Sequence, residues 1–395
     1  MKAAIPRALL ASVLGLAAGC TRARVPGVSD GEVVFGMTAP LSGPAAAWGS
    51  LSAGARAWAT HVNAEGGIAG RQIKVIVKDD GYTPGRAVAN LTEMKDSVFA
   101  IVGLLGTAVV NAAKDVVAEA RIPVVFPTAN PRVWAAQKPD DVRGVFVAYP
   151  DYDSEGAFMA EMLAAQVGAK TAAVFYQNDD YGKEGLAGLR RAAAGAGVTV
   201  AAAVPYELQD RDMSLQAVTL KESGADAVVL FATTTHGANV VKEMTKLGYR
   251  PALYASFVLA DHYTMFRLLG ELYEGAFFDT FLPLVGEPGT EEVMKVLLAI
   301  DPSLKGREGF ALLGAVEMML AVEGLKRAGR DLTRESFVNA LEGVRDWKPL
   351  PGLAPVSFGP ARRHGQNALR LVRAGRAADL SFRPLTEYRS FPPLF

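Results

Sequence analysis

Short runs rich in β-branched and apolar residues alternate along most of this chain with longer stretches whose apolar residues recur at helical spacing, and few folds satisfy that alternation. The run "EVVFGM" (32–37) is followed, after a Pro/Gly-rich turn, by Leu51, Ala55, Trp58 and Val62 on one helical face that ends at Gly66-Gly67. Then come "QIKVIV" (72–77), a helical stretch from about 86 to 96, "VFAIVG" (98–103), a helix to about 120 and "IPVVF" (122–126). Strands separated by helical runs build βαβ units, hence a parallel sheet covered on both faces.

The pattern breaks near "VFVAYPDYDS" (145–154) and restarts with a helix from about 154 to 167 and "TAAVFYQ" (171–177). Helices over 183–194, 212–223 and 237–247 then alternate with "VTVAAAV" (198–204), "DAVVLFA" (226–232) and "ALYASF" (252–257). Two wound sheets in series predict an α/β protein of two doubly wound parallel-sheet lobes with a cleft between them. The helical runs Gly309–Arg327 and Thr333–Gly343, the latter with Thr333 as N-cap, are surplus to the second sheet and are expected to return to the first lobe. No low-complexity segment or short-period repeat interrupts the pattern.

The single cysteine, Cys20, allows neither an intramolecular disulfide nor a CxxC pair. Lys2 and Arg7 precede an apolar stretch, Ala8 to Ala18, broken only by Ser12 and Gly15, with the charge, length and small-residue ending of a secretory signal. It is too short to span a bilayer, which needs about 20 apolar residues. The stretch "LAAGC" resembles a bacterial lipoprotein signal, which implies cleavage of residues 1–19 and a lipid on Cys20. The match departs in having Ala17 where the pattern prefers leucine, Leu16 lying one place further away. The alternative is an ordinary secretory signal with Cys20 incidental, and either reading exports the protein to the periplasm or cell surface. Residues 20–31, "CTRARVPGVSDG", lack apolar periodicity and read as a tether. Loss of Lys2 and Arg7 leaves 39 basic against 41 acidic residues, which argues against a nucleic-acid partner. No later apolar run is long enough to span a membrane, so membrane attachment is expected through lipid alone.

In open parallel sheets, ligands sit beyond the carboxyl ends of strands. Those turns here, "TAPLSGPAAAWGS" (38–50), "LLGTAVVN" (104–111), "PTANP" (127–131), "QNDDYGKEG" (177–185) and "TTTHGAN" (233–239), are rich in Ser, Thr, Gly and Asn, with Trp48 and Tyr181 as aromatic walls. Taken singly, such residues are helix caps and turn formers; together they suit a small polar solute with an apolar part. No G-x-S-x-G, H-E-x-x-H, P-loop or strand-linked G-x-G-x-x-G motif is present, so no enzyme activity, cofactor or metal is expected. His61, His236, His262 and His364 are scattered, and His236 reads as structural. Asp79-Asp80 and Asp179-Asp180 read as water-facing loop carboxylates. The C-terminal arginines (Arg362, Arg363, Arg370, Arg373, Arg376, Arg383, Arg389) read as solvated surface, with a permease-facing patch as the alternative.

The stretches "GMTAPLSGPAAAWG", "HVNAEGGIAGRQIKVIVKDDGYTP", "VGLLGT", "IPVVFPTANP", "NDDYGKEG", "LGYRPALYAS", "YEGAF" and "PVSFGPARRHG" make the chain resemble, over about 32 to 375, the periplasmic binding proteins of branched-chain amino-acid ABC transporters. The resemblance implies the type I binding-protein fold with a three-strand hinge near 148–151, 279–283 and 350–357. Lobe 1 would comprise 32–149 plus 283–350, and lobe 2 would comprise 150–282 plus 351–395. It implies a monomeric receptor that closes on a solute and docks on an inner-membrane permease. A sensor for a signalling partner, or a lipoprotein regulator of a cell-wall synthase, would fit the same anchored two-lobed chain. For the site, the resemblance implies Trp48 beside the ligand body, Thr107, Ala129 and Asn130 at the α-carboxylate, and Tyr181 from the second lobe. Thr233 and Thr234 replace an expected tyrosine, and Phe257 stands where an acid pairs with the α-ammonium. Either another acid, Asp279 or Asp153, takes over, or the solute is a carboxylate, amide or small aromatic molecule rather than an α-amino acid.

Overall fold

The computed structural model describes residues 25–395, so the leader 1–19 and Cys20 lie outside the described residues. Two sheets organise the chain. The first is built from β1 (Glu32–Ala39), β2 (Gln72–Asp79), β3 (Ala100–Val102), β4 (Val124–Val125) and β5 (Val145–Phe146) in the order β2-β1-β3-β4-β5, all parallel. The intervening helices are α1 (Ser50–Ala64), α2 (Pro84–Met94), α3 (Thr107–Ala120) and the single turn α4 (Arg132–Ala135). Phe35, Ile101, Val124 and Phe146 are fully buried, as strands covered on both faces require.

The second sheet follows α5 (Tyr152–Met162), with β6 (Thr171–Gln177), β7 (Thr199–Tyr206), β8 (Ala227–Phe231) and β9 (Ala252–Ala255) interleaved with α6 (Asp180–Ala196), α7 (Ser214–Glu222) and α8 (Thr234–Lys246). After α9 (His262–Leu269) comes β10 (Phe277–Thr280), parallel to β9. The chain then returns to the first sheet as α10 (Thr290–Ile300), α11 (Glu308–Ala328) and α12 (Arg334–Glu342), with Thr333 forming a capping box with Ser336. The last strands, β11 (Ala368–Ala374), β12 (Phe382–Pro384) and β13 (Arg389–Ser390), lie in the second sheet. β11 runs antiparallel to β10, and β12 and β13 antiparallel to β11, so this sheet is mixed rather than purely parallel.

The surplus helices cover the first sheet because α1 and α11 pack backbone to backbone. A Cβ on Gly314 would lie 1.8 Å from the Leu51 carbonyl oxygen, so only glycine permits that approach.

Three segments cross between the sheets, after β5, after β10 and before β11. The stretch 347–363 still belongs to the first lobe: Phe358 N–H donates to Val344 O, and Arg363 lies over the Phe146 ring and pairs with Glu342. The third crossing therefore falls at His364–Asn367, beside the first, where Val147 bridges His364. Residues 25–31 are not a free tether. Val34 N–H bonds Gly27 O, and the Arg71 guanidinium bonds Ser29 O, which docks the segment on the edge of the first lobe. The C-terminal arginines are also not simply solvated. Arg363 and Arg370 are buried, the latter against Glu287 and the Tyr388 ring. Among the described residues no helix is long and apolar enough to cross a membrane.

Candidate functional site

The acidic pair after β2 does the first positioning. Asp79 accepts hydrogen bonds from Leu41 N (2.9 Å), Ser42 Oγ (2.7 Å) and Gly81 N (2.9 Å) and pairs with Arg86; the Ser42 hydroxyl first, then Gly81 N–H and Arg86, hold its carboxyl down at about 2. This ties the β1–α1 loop to the β2–α2 turn and sets Trp48, in the turn Ala46–Gly49, edge-on to Tyr82 at 5.4 Å. Asp80 is buried, accepting from Thr38 Oγ1 (2.9 Å) and from Tyr82 N (2.8 Å). Tyr82 sits at φ 60°, a conformation costly for a bulky residue. Its ring lies over Gly106, where a Cβ would come within 2.4 Å, so Gly106 keeps the space that Tyr82 fills.

The second lobe repeats the device. Asp179 caps α6, accepting from Tyr181 N at 3.0 Å and Gly182 N at 3.4 Å, and so aims Tyr181 at the cleft. Both acidic pairs, read from sequence as water-facing, thus place the tyrosines that follow them. The Tyr181 ring meets Tyr152 at 4.6 Å, and Tyr152 stacks on Phe257 at 5.5 Å. Tyr149 packs edge-on against both Phe257 (5.0 Å) and Phe281 (5.1 Å). Phe257 N–H donates to the buried Glu155 carboxyl at 2.7 Å, fixing the backbone of that wall.

Between these faces lies a narrow cavity. The first lobe contributes Trp48, Leu51, Tyr82, Leu105, Thr128 and Phe310; the hinge and second lobe contribute Tyr149, Tyr152, Tyr181, Phe257 and Phe281. Among the described residues no charged side chain lines it. Burial raises the phenols of Tyr82, Tyr149, Tyr152 and Tyr181, so all four are neutral donors. Trp48 Nε1 and the Tyr181 hydroxyl are buried with no hydrogen-bond partner among the described residues. A solute carrying an oxygen acceptor would satisfy them, and leaving them unmet costs free energy.

Of the residues singled out from sequence, Trp48, Tyr181 and Phe257 line this cavity together. The others lie around it without lining it. Thr107 Oγ1 accepts from Asn130 N at 3.3 Å, and Asn130 Oδ1 from Arg132 N at 3.1 Å, so these two join the turns after β3 and β4, with Ala129 buried between. Thr233 caps α8 by accepting from His236 N, and Thr234 is buried at the first position of that helix. His236 is structural, bridging Thr233 Oγ1 (2.6 Å) and Asp210 O (3.0 Å). Neither candidate counter-acid lines the cavity: Asp279 accepts from Tyr254 OH at 2.7 Å behind the wall, and Asp153 pairs with Arg191 and Arg132 at the rim. Sequence reasoning missed Tyr82, Tyr149, Tyr152, Phe281 and Phe310. Aromatics in strand-end turns and in the hinge stretch "YPDY" were the available signal. Among the described residues no group of three His, Cys, Asp or Glu is placed to hold a metal ion.

A model of the periplasmic binding protein family matches residues 32–379. A Leu/Ile/Val-binding protein homolog from Brucella melitensis is 26% identical over 324 residues, 81% of this chain and 84% of its own length. A fatty acid ABC transporter substrate-binding protein from Thermomonospora curvata superposes with a TM-score of 0.80 at 23% identity, over 93% of this chain and 95% of its own. A branched-chain amino acid ABC transporter protein from Thermus thermophilus, solved with bound valine, superposes at 0.81 with 18% identity, over 92% and 98%. Two sheets, three crossings and a cavity lined from both sides agree with that match over most of the chain: the protein belongs to the periplasmic binding protein family.

Proposed function

We propose that this protein is the solute receptor of an ABC importer, exported by its leader, held at a membrane through lipid on Cys20, and working as a non-catalytic monomer that delivers its solute to an inner-membrane permease. The carrying observation is the cavity between the lobes, apolar in its walls and armed with two unpartnered donors, Trp48 Nε1 and Tyr181 OH. That chemistry favours a solute with an apolar body and an oxygen acceptor, a carboxylate or carboxamide, over an α-amino acid. An α-ammonium enclosed without a counter-charge costs several kcal/mol, and no acid lines the walls.

A thermal-shift screen of residues 21–395 against branched-chain amino acids, short carboxylates, primary amides and aromatic acids tests the reading. A solute at a hundredfold excess over Kd adds about 2.7 kcal/mol to the native state. Carboxylates or amides are expected to raise the melting temperature and amino acids not. Stabilisation by leucine or valine above all others would contradict the solute class, and silence across the panel would contradict the receptor role.

A further inference from the structure

Behind the aromatic wall lies a second, narrow pocket. Phe257, Phe281, Phe310 and Leu313 line both spaces, so the two are separated only by side chains. The far side of the second chamber is aliphatic, formed by Leu282, Leu284, Val285 and Leu312. Two of its polar side chains, Asp261 and Thr280, are bonded within the protein, while the buried His262 Nδ1 has no hydrogen-bond partner among the described residues. Asp261 accepts from Thr264 N (3.2 Å) and Thr264 Oγ1 (2.8 Å), and Thr280 Oγ1 donates to Leu282 O (2.8 Å). His262 packs edge-on against Phe382 at 4.9 Å, and burial pushes its imidazole down to about 4, leaving it neutral. Among the described residues no Lys or Arg lines either chamber.

The partition is drawn from three parts of the fold. Phe257 belongs to the second lobe, Phe281 to the crossing after β10, and Phe310 and Leu313 to α11 of the first lobe. Hinge opening would part Phe310 and Leu313 from Phe257, so a long solute can be laid across both spaces while the lobes are apart and enclosed as they close.

Resting on the receptor reading above, we propose that the two chambers form one tandem site, occupied by an elongated solute. Its acceptor-bearing head meets Trp48 and Tyr181, and its apolar tail passes the Phe257–Phe281–Phe310 partition into the Leu284 chamber. Straight-chain carboxylates and the matching primary amides, from about two to about ten carbons, are the probes, with Kd read by calorimetry; the two series separate a charged from an uncharged head. Each methylene transferred from water into an apolar chamber is expected to tighten binding by about fourfold, and the rise should continue past the length the first chamber holds. Leu284→Trp fills the second chamber from a loop; it should weaken the longest bound members by more than about tenfold and leave the shortest within about twofold. Val285→Phe should do the same should Leu284→Trp not fold, and Phe257→Ala should shift the optimum to bulkier tails. Binding that peaks at the shortest members, or a length dependence untouched by both filling variants, overturns the tandem site while leaving the receptor reading intact. Failure of every member of both series, together with silence in the solute screen, overturns both.

Discussion

Glu155 is a carboxyl that burial carries far from its ordinary chemistry. It is fully buried behind Phe257 with one carboxyl oxygen unpartnered among the described residues, and desolvation pushes its pKa up from 4.5 to about 8. The unfolded chain ionises this group near 4.5, whereas the folded one keeps its proton to about 8. The folded form thus binds more protons over that window, and the stability present below pH 4.5 is lost as pH rises towards 8. His262 and His364, pushed down to about 4, act in the opposite sense below 6.5. Glu155→Gln keeps the acceptor for Phe257 N–H and removes the titration. The variant should gain stability over wild type as pH rises through the window, by more than about 1 kcal/mol at pH 8 in urea melts; parallel pH profiles would sink the assignment. Trp48 and Tyr181 were legible at this scale because each sits in a turn after a strand, whereas Phe257 was singled out only through the resemblance. Asp80 and Asp179 were not, because nothing in "DDGY" or "NDDY" says which carboxylate folds inward to hold a backbone N–H.

Among elements, the regular ones were readable where period and caps agreed. β1, β2, β6 and α12 fall where their patterns place them, since a continuous apolar strand or a Thr333 cap is a local signal. α9, α10 and β10 to β13 escaped, because their pairing depends on partners far along the chain: β11 joins β10 across nearly a hundred residues in the opposite direction. The same long range fixes α11 on α1. Gly314→Ala drives a methyl into the Leu51 carbonyl and is expected to cost about 1–3 kcal/mol as overpacking, seen as a lower urea midpoint with the slope unchanged. A neutral or stabilising effect, as for an exposed helical glycine, would contradict the close approach of α1 and α11.

For the molecule as a whole, solute affinity contains the free energy of closure. The rim contacts that span the cleft contribute to it: Arg132 of the first lobe lies 3.4 Å from Asp153 and 3.2 Å from Glu184 of the second, and Thr235 Oγ1 donates to Pro44 O at 2.9 Å. Arg132 is partly exposed, so its ion pairs are worth no more than about 1 kcal/mol. Arg132→Ala should weaken any bound solute by about two- to fivefold without altering which solute is preferred, measured by calorimetry across the panel; a change of preference would mean that Arg132 touches the solute. The central claim is that one solute is held from both lobes at once, and the most direct test is its Kd in wild type, Trp48→Phe and Tyr181→Phe. Tyr181→Phe keeps its ring and loses one donor, which should cost about 0.5–1.5 kcal/mol, or about two- to twelvefold in affinity; Trp48→Phe loses its donor together with part of the indole ring and should cost at least as much. Weakening in both variants, one from each lobe, is the predicted result; binding indifferent to either residue would contradict a site shared between the lobes.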